Sequence, residues 1–205
     1  MGTVVTGDDT VHGWTSTSGS ALTGKQICHA VYRADFAEQG DSCKLLSPPP
    51  LVVVSTGPQP DALELIERPE NCLCFKSVPQ VDLLRLAKPA LFVTNAGQNP
   101  FMESLSIGTP LLVCPGFGDQ IPNAANAQKL GIGEKVDRPT QSEADIAEVV
   151  AAYEAGVSNA TRKVLGEPRE AFLDKTIDVA AELGQAGGVE KAVHILLAET
   201  KKSKP

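Results

Sequence analysis

The sequence has few aromatic residues, no excess of basic charge and no long apolar run. Aromatic side chains make up 4% of the 205 residues, which argues against a surface that stacks on nucleic-acid bases. The net charge is −7, so no basic stripe is available to bind phosphate backbones. The apolar runs are shorter than a bilayer requires, and no signal peptide is apparent. We therefore expect neither a nucleic-acid partner nor a transmembrane segment.

Cysteine and histidine are present but form no metal-ligand pattern. The five cysteines contain no CxxC pair, and the three histidines are scattered. Cys72 and Cys74 would share one face of a strand, but two ligands alone do not make a metal site. Asp8, Asp9 and His12 fit a solvated turn better than a metal cluster. We predict no metal and free, buried thiols, which favours a reducing compartment, the cytoplasm or an organelle interior.

Short apolar runs alternate with helical patterns along the chain, which predicts an α/β domain with a doubly wound, mostly parallel sheet. A length of 205 residues fits one domain over 1–205. Strands are expected at 51–54, 72–75, 91–93, 111–114 and around 135–136. Helices are expected at 21–39, 61–67, 81–87, 99–107, 121–130, 142–155, 159–183 and 189–201. Loops or linkers are expected at 6–20 and 40–50, with a basic tail at 201–205.

Two of these helices carry start signals. Asn99 and Pro100 are typical of a helix cap followed by its first residue. Residues 142–145 resemble a capping box that opens the helix ending at Ala155.

The stretch 91–120 concentrates the residues suited to binding a ligand. A buried strand breaks at 95–97, a short helix follows, and a second strand ends in the Gly-rich loop 115–118. Ligands of open parallel sheets bind at the carboxyl ends of strands, and a helix N-terminus there favours anions.

This stretch resembles the donor-binding signature of the UDP-sugar-dependent glycosyltransferases, which have the two-domain GT-B fold. Order and spacing agree over some forty residues, and residues 78–84 resemble the family's upstream Pro-Gln-x-x-Leu-Leu segment. The resemblance implies a Rossmann-like domain, and it covers only the second, C-terminal half of the GT-B fold. The matching residues are Thr94, Gly97, Gln98, Asn99, Glu103, Ser104, Leu105, Gly108, Thr109, Pro110, Pro115, Asp119 and Gln120.

The resemblance also implies a binding role for each matched polar residue, with UDP-sugar as donor substrate and no separate cofactor. Gln80 would lie near the uracil ring, and Glu103 would take the ribose hydroxyls. Asp119 and Gln120 would hold the sugar hydroxyls, while loop 95–100 would hold the pyrophosphate. Without the resemblance, the same residues fit a helix cap, an exposed helix carboxylate and a polar turn. The implied contacts are Gln80, Asn95, Gly97, Asn99, Glu103, Asp119 and Gln120.

Three departures from the family pattern fall in the loop that would hold the pyrophosphate. Asn95 stands where the family has His, Ala96 where it has a second Gly, and Pro100 where it has Ser. Asn95 cannot carry a positive charge, Ala96 restricts backbone approach, and Pro100 removes a backbone donor. Losing two or three charge-assisted hydrogen bonds costs on the order of 3–6 kcal/mol, which takes a micromolar site towards millimolar. We expect a damaged donor site.

Three functions remain open. The first is an active glycosyltransferase, or the detached donor half of one; the resemblance implies an inverting reaction whose catalytic base lies in the N-terminal domain. The second is a structural or assembly subunit that kept the fold and lost the chemistry. The third is a nucleotide-binding regulator that uses the remaining base and ribose contacts. We expect no transfer by this chain alone, because general-base chemistry needs a base positioned beside the acceptor.

The start of the sequence also predicts a partner. In the family, an apolar strand runs into the Gly-Thr that corresponds to Gly2 and Thr3. A sheet without most of that strand would present unpaired backbone groups. We therefore expect another polypeptide to supply or cover the strand.

Overall fold

The computed structural model describes residues 20–37, 40–57, 67–140, 145–167 and 169–202. Helices and parallel strands alternate through these ranges. The strands are β1 (Val52–Ser55), β2 (Cys72–Phe75), β3 (Phe92–Thr94), β4 (Leu111–Val113) and β5 (Gly133–Lys135). The helices are α1 (Gly24–Asp35), α2 (Asp41–Leu45), α3 (Gln80–Ala87), α4 (Gln98–Ile107), α5 (Gln120–Leu130), α6 (Ile146–Leu165), α7 (Arg169–Gln185) and α8 (Gly188–Lys202). The predicted α/β class is confirmed.

Every strand pairing within these ranges is parallel. Strand β1 pairs with β2, and β4 lies between β3 and β5. The described strands therefore form two sheets, with β1 and β3 each at the edge of its own sheet. A single sheet was predicted, and the difference is that β1 and β3 do not pair with each other.

The alternating side chains of β4 divide the core into two layers, as a doubly wound sheet requires. Leu112 packs with α1 and α6 on one face. Leu111 and Val113 pack with α4 and α5 on the other, where Val179 of α7 adds to the layer. All three β4 side chains are fully buried, which is why this strand is a continuous apolar run.

Helix α1 is shorter than predicted because a capping box fixes its start. The backbone N–H of Gln26 donates to Thr23 Oγ1 at 3.2 Å, and the backbone N–H of Thr23 donates to Gln26 Oε1 at 2.8 Å. This reciprocal pair satisfies two N–H groups that have no partner inside the helix. The helix ends at Asp35, and Phe36 caps it.

The start of α4 differs from the prediction. Gly97 is the N-cap and Gln98 the first helical residue, whereas Asn99 was predicted to be the cap. Pro100 is therefore the third helical residue. It breaks no helical hydrogen bond there, because the first backbone donor with an acceptor in the helix is Phe101, which bonds to Gly97 O at 3.0 Å.

Helix α6 is one uninterrupted helix, so the predicted break between 155 and 159 is wrong. Its buried residues continue through that segment, with Tyr153, Val157 and Ala160 on one face. Packing of this face overrides the low helix propensity of Gly156 and its polar neighbours. The helix ends at Leu165, inside the single helix predicted for 159–183.

The predicted capping box and linker also need correction. Asp145 is the N-cap of α6 and makes no side-chain cap bond, while 142–144 lie outside the described residues.

The predicted linker 40–50 contains α2, whose Asp41 accepts a 2.9 Å hydrogen bond from Arg162 of α6. Of the predicted helix 61–67, only residue 67 is described.

The cysteines are free, as predicted, but only Cys114 is buried, and the other four are half-buried. The thiols of Cys72 and Cys74 lie 3.7 Å apart on one face of β2.

Within the described ranges no group of three or more His, Cys, Asp or Glu is arranged to hold a metal ion. Asp8, Asp9 and His12 lie outside these ranges. None of the described helices is long and apolar enough to cross a membrane.

Candidate functional site

The predicted contact residues lie at the carboxyl ends of three strands. Gln80 follows β2, the segment 95–99 follows β3, and Asp119 and Gln120 follow β4. Strands β3 and β4 are parallel, so their carboxyl ends share one edge. A hydrogen bond from Gln80 to Glu103 of α4 brings the end of β2 to that edge as well.

Gln80 and Glu103 are joined by a short hydrogen bond. Gln80 Nε2 donates to Glu103 Oε2 at 2.6 Å. Gln80 is the first residue of α3, and Glu103 lies in the second turn of α4. Both side chains are half-buried, so the carboxylate is oriented before any ligand arrives. A carboxylate held in this way can accept hydrogen bonds from hydroxyl groups of a ligand.

Two buried polar side chains hold the loop after β3. The backbone N–H of Ala96 donates to Thr94 Oγ1 at 3.1 Å, and Asn123 Nδ2 donates to the Ala96 carbonyl at 2.9 Å. Ala96 is fully buried with φ +55°, a left-handed conformation that costs an L-residue with a Cβ roughly 1–2 kcal/mol. The clamp from Thr94 and Asn123 therefore maintains a strained backbone at the position where the resembling family has Gly.

Neither Thr94 nor Asn123 was predicted to hold this loop. A signal for Asn123 existed, because it lies on the same buried face of α5 as Ala124 and Ala127. A polar residue on an apolar helix face needs a partner, and here the partner is the Ala96 carbonyl.

The side chain of Asn95 is also used within the loop. Its Oδ1 accepts a 3.3 Å hydrogen bond from the backbone N–H of Gly97. Gly97 has room for a Cβ, since the nearest contact would be Asn95 Oδ1 at 3.9 Å. Asn99 is exposed in the first turn of α4.

The first backbone N–H group of α4 donates a hydrogen bond to a carboxylate of the chain itself. Asp119 Oδ2 accepts a 2.8 Å hydrogen bond from the backbone N–H of Gln98. Helix N-termini bind anions because their first N–H groups lack partners and the helix dipole favours negative charge. Pro100, two residues on, has no N–H. Of the first three helical positions, one donor is therefore occupied and one is absent, which leaves the N–H of Asn99.

Gln120 points into the loop after β4. It is buried, and its Oε1 accepts hydrogen bonds from the backbone N–H groups of Gly116 at 2.7 Å and Phe117 at 3.3 Å. In this conformation its carbonyl oxygen fixes the loop. Arg138 lies behind the same loop, where its Nη2 would be 2.9 Å from a Cβ at Gly116. Burial lowers the pKa of Arg138.

Comparison with known proteins places the chain among sugar transferases. Residues 46–160 match the family described as UDP-glucoronosyl and UDP-glucosyl transferase. An uncharacterized UDP-glucosyltransferase, YojK of Bacillus subtilis, is 31% identical over 150 residues, covering 73% of this chain and 33% of the relative. The oleandomycin glycosyltransferase of Streptomyces antibioticus is 31% identical over 154 residues, covering 72% and 31%. The chain thus spans about a third of the length of these relatives.

Solved structures agree with the sequence comparison. The glycosyltransferase of kitacinnamycin has a TM-score of 0.62 and 27% identity, over 89% of this chain and 41% of that one. The calicheamicin glycosyltransferase CalG4 has a TM-score of 0.64 over 92% and 41%, and at 19% identity it supports the fold alone. Together with the matched signature residues at the strand ends, these findings identify the chain as a member of the UDP-glucuronosyl and UDP-glucosyl transferase family.

Proposed function

We propose that this chain binds the base and ribose of a UDP-sugar, holds the pyrophosphate weakly, and transfers no sugar by itself. Family membership supports a UDP-sugar as the ligand class. The Gln80–Glu103 pair supplies an amide and an oriented carboxylate for the nucleoside. Asp119 and Gln120 would meet the sugar, and Asn95, Gly97 and Asn99 would face the phosphates.

The observation that carries the proposal is the hydrogen bond from the Gln98 N–H to the Asp119 carboxylate. A pyrophosphate at the start of α4 would have to displace this carboxylate or lie beside it with like charge. Pro100 offers no N–H in compensation, and Asn95 has no charge to offer.

The lost hydrogen bonds to the phosphates are strong enough to change the UDP affinity by orders of magnitude. Charge-assisted hydrogen bonds contribute about 1.5–3 kcal/mol each, and each factor of ten in affinity corresponds to about 1.4 kcal/mol. Two lost bonds therefore lower phosphate affinity by about two to four orders of magnitude. UDP should bind little better than uridine.

We propose that this chain transfers no sugar by itself because the resembling enzymes share the reaction between two domains. The acceptor hydroxyl needs a base beside it, and in the resembling enzymes that base belongs to the N-terminal domain. The described part of this chain corresponds to the donor side.

The experiment is a titration of the isotope-labelled chain with uridine and, separately, with UDP, followed through its amide NMR spectrum. We expect both ligands to shift signals around Gln80 and Glu103 over the same millimolar range. The variant Asp119→Asn should respond to UDP at lower concentration than to uridine, because the competing charge is gone. Micromolar UDP shifts at Gln98 and Asn99 in the unmodified chain would overturn the proposal, as would the absence of any shift at Gln80 and Glu103.

One observation favours the second function, a non-catalytic subunit whose other polypeptide supplies or covers a strand. Helix α8 exposes a run of apolar side chains, with Val189 79% and Leu196 66% exposed. Exposed apolar patches of this kind mark interaction surfaces. Two measurements on the purified chain test this: sedimentation gives its oligomeric state, and binding of an apolar dye reports exposed apolar surface. A monomer that binds no dye would contradict the subunit function without affecting the nucleotide proposal.

A further inference from the structure

Two thiols of strand β2 are in contact with each other. Cys72 and Cys74 are two residues apart in the strand, so their side chains leave the same face of the sheet. Their Sγ atoms lie 3.7 Å apart. Both residues are half-buried, so a small solute can reach them. The contact therefore places two oxidisable groups side by side at an accessible position.

The backbone spacing of a strand permits a bond between these two sulfur atoms. Strands rise by about 3.3 Å for each residue, so the Cα atoms of alternate residues are about 6.6 Å apart. Disulfides join Cα atoms that lie about 4.4–6.8 Å apart, most often about 5.5–6 Å. Cys72 and Cys74 are thus within reach of each other, near the upper limit. Formation of the bond would draw their Cα atoms together by up to about 1 Å.

Contact and ionisation distinguish this pair from the other cysteines. Among the described residues no other two thiols are in contact. Burial raises the pKa of Cys28 to about 11 and that of Cys114 to about 12, so both are rarely ionised near neutral pH and react slowly with oxidants. Burial also raises the pKa of Cys74, but there the guanidinium of Arg68 opposes the rise.

We propose that Cys72 and Cys74 are a redox-sensitive pair, which a peroxide oxidises to a reversible disulfide within β2. The thiolate of one cysteine attacks an oxygen of the peroxide and the O–O bond breaks, which leaves a sulfenic acid and, after proton transfer, one water. The sulfur of the other cysteine then attacks the sulfenic sulfur. The S–S bond forms, the S–O bond breaks, and a second water leaves with the remaining thiol proton. Two thiols are oxidised, and one hydrogen peroxide is reduced to two waters.

The new bond acts on the pairing of β2 with β1. The two strands are aligned from 52 with 72 to 55 with 75. The Val52 N–H donates to the Asn71 carbonyl at 2.8 Å, and the Thr56 N–H donates to the Phe75 carbonyl at 2.9 Å. These bonds lie on either side of the cysteine pair, so a contraction of β2 between them puts both out of register. A disulfide strained in this way is easily reduced, which makes the modification reversible. It does not depend on nucleotide binding.

The experiment treats the full 205-residue chain with hydrogen peroxide, alkylates the remaining thiols and digests the chain with trypsin. Residues 45–76 form one tryptic peptide, because Lys44 and Lys76 bound it and Arg68 precedes a proline. Cys72 and Cys74 are its only cysteines. We expect the peptide to become lighter by two hydrogen atoms and to take up no alkyl group. After treatment with dithiothreitol it should take up two.

Two results would overturn the proposed disulfide. One is a peptide 45–76 that still takes up two alkyl groups after excess peroxide. The other is a main product in which Cys72 or Cys74 is cross-linked to a different tryptic peptide. Amide hydrogen exchange tests the effect on the sheet. Oxidation should speed exchange of the Val52 and Thr56 amides at least about threefold, and unchanged exchange in the oxidised chain would contradict the loosening of β1 from β2.

Single substitutions repeat the test in the protein. Cys72→Ser and Cys74→Ser each leave one thiol of the pair without its partner, so peroxide should carry that thiol on to sulfinic acid. The wild type should form little sulfinic acid in peptide 45–76, because the disulfide forms first. Cys43→Ser is the matched control and should behave as the wild type. Equal sulfinic acid in the wild type and in both single variants would show that the two sulfurs do not combine, and the proposal would fail.

Discussion

The side-chain amide of Gln80 donates a 2.6 Å hydrogen bond to the carboxylate of Glu103, 23 residues away in the sequence. This contact joins the start of α3 to α4 and orients a carboxylate at the carboxyl edge of the sheet. We call the Gln80–Glu103 pair the nucleoside half of the proposed site. The start of α4 is its proposed phosphate half, and there the first helical N–H already donates to Asp119.

The first prediction concerns the nucleoside half. Glu103→Ala should lower uridine affinity about tenfold or more, because hydrogen bonds to charged groups contribute about 1.5–3 kcal/mol. Calorimetric titration with uridine measures the effect. The control is Asp82→Ala, which removes an exposed carboxylate from the first turn of α3. Equal affinity for the Glu103 variant and the control would place the ribose elsewhere.

The second prediction concerns the phosphate half. The double substitution Asn95→His with Pro100→Ser restores an imidazole, a hydroxyl and a backbone N–H to the loop. UDP should then bind at least about tenfold more tightly, in line with one regained charge-assisted bond. Uridine affinity is the internal control and should not change. If UDP and uridine affinities both stay at their original values, the phosphates do not bind at this loop.

The third prediction concerns catalysis. The purified chain should release no UDP above background from UDP-glucose or UDP-glucuronic acid, because transfer needs a base beside the acceptor and our proposal assigns that base to none of the described residues. A coupled UDP-release assay measures this. Release that disappears in Asp119→Ala would show that the chain hydrolyses or transfers the sugar after all.

The fourth prediction concerns stability. Asp35 is fully buried between α1 and α6, where Thr161 Oγ1 donates to its Oδ1 and its Oδ2 has no hydrogen-bond partner. Burial raises the pKa of Asp35 to about 7, and the nearby Asp41 adds to the rise. Between about pH 4 and 7 the unfolded carboxyl has lost its proton while the folded one retains it. The folded state binds more protons, so stability falls as pH rises through this window.

Asp35→Asn removes this titration and should flatten the pH dependence. Above pH 7 the variant should be the more stable by up to about 4 kcal/mol, at about 1.36 kcal/mol for each pKa unit. Urea unfolding at pH 4 and pH 8 measures the difference. Asp82→Asn is the exposed control. If the free energy of unfolding changes between pH 4 and pH 8 by the same amount in the wild type and in Asp35→Asn, the raised pKa of Asp35 is contradicted.

Much of the fold was predictable because apolar runs fix the strands. The run at 111–113 predicts a strand buried on both faces, and its side chains do divide between two layers. The length of α6 was not predictable from local pattern, since the half-buried Gly156 lies beside Val136 and leaves the buried stripe of Tyr153 and Val157 unbroken. Packing of α6 against α1 outweighs the low local helix propensity at this position.

The members of the candidate site stay a prediction, and the contacts among them were not foreseen from the sequence. The resemblance to the family named Gln80, Glu103 and Asp119 without indicating which of them would meet. The hydrogen bond between Asp119 and the Gln98 N–H spans 21 residues and depends on where α4 begins. That start was predicted two residues late, so the occupied N–H could not be foreseen from the sequence.

The ratio of UDP to uridine affinity, measured by calorimetry on the unmodified chain at one fixed ionic strength, decides whether the pyrophosphate is held weakly. We predict that the two dissociation constants are both near millimolar and within about tenfold of each other, because the pyrophosphate adds less than about 1.4 kcal/mol. A micromolar dissociation constant for UDP, a hundredfold or more below that for uridine, would contradict it.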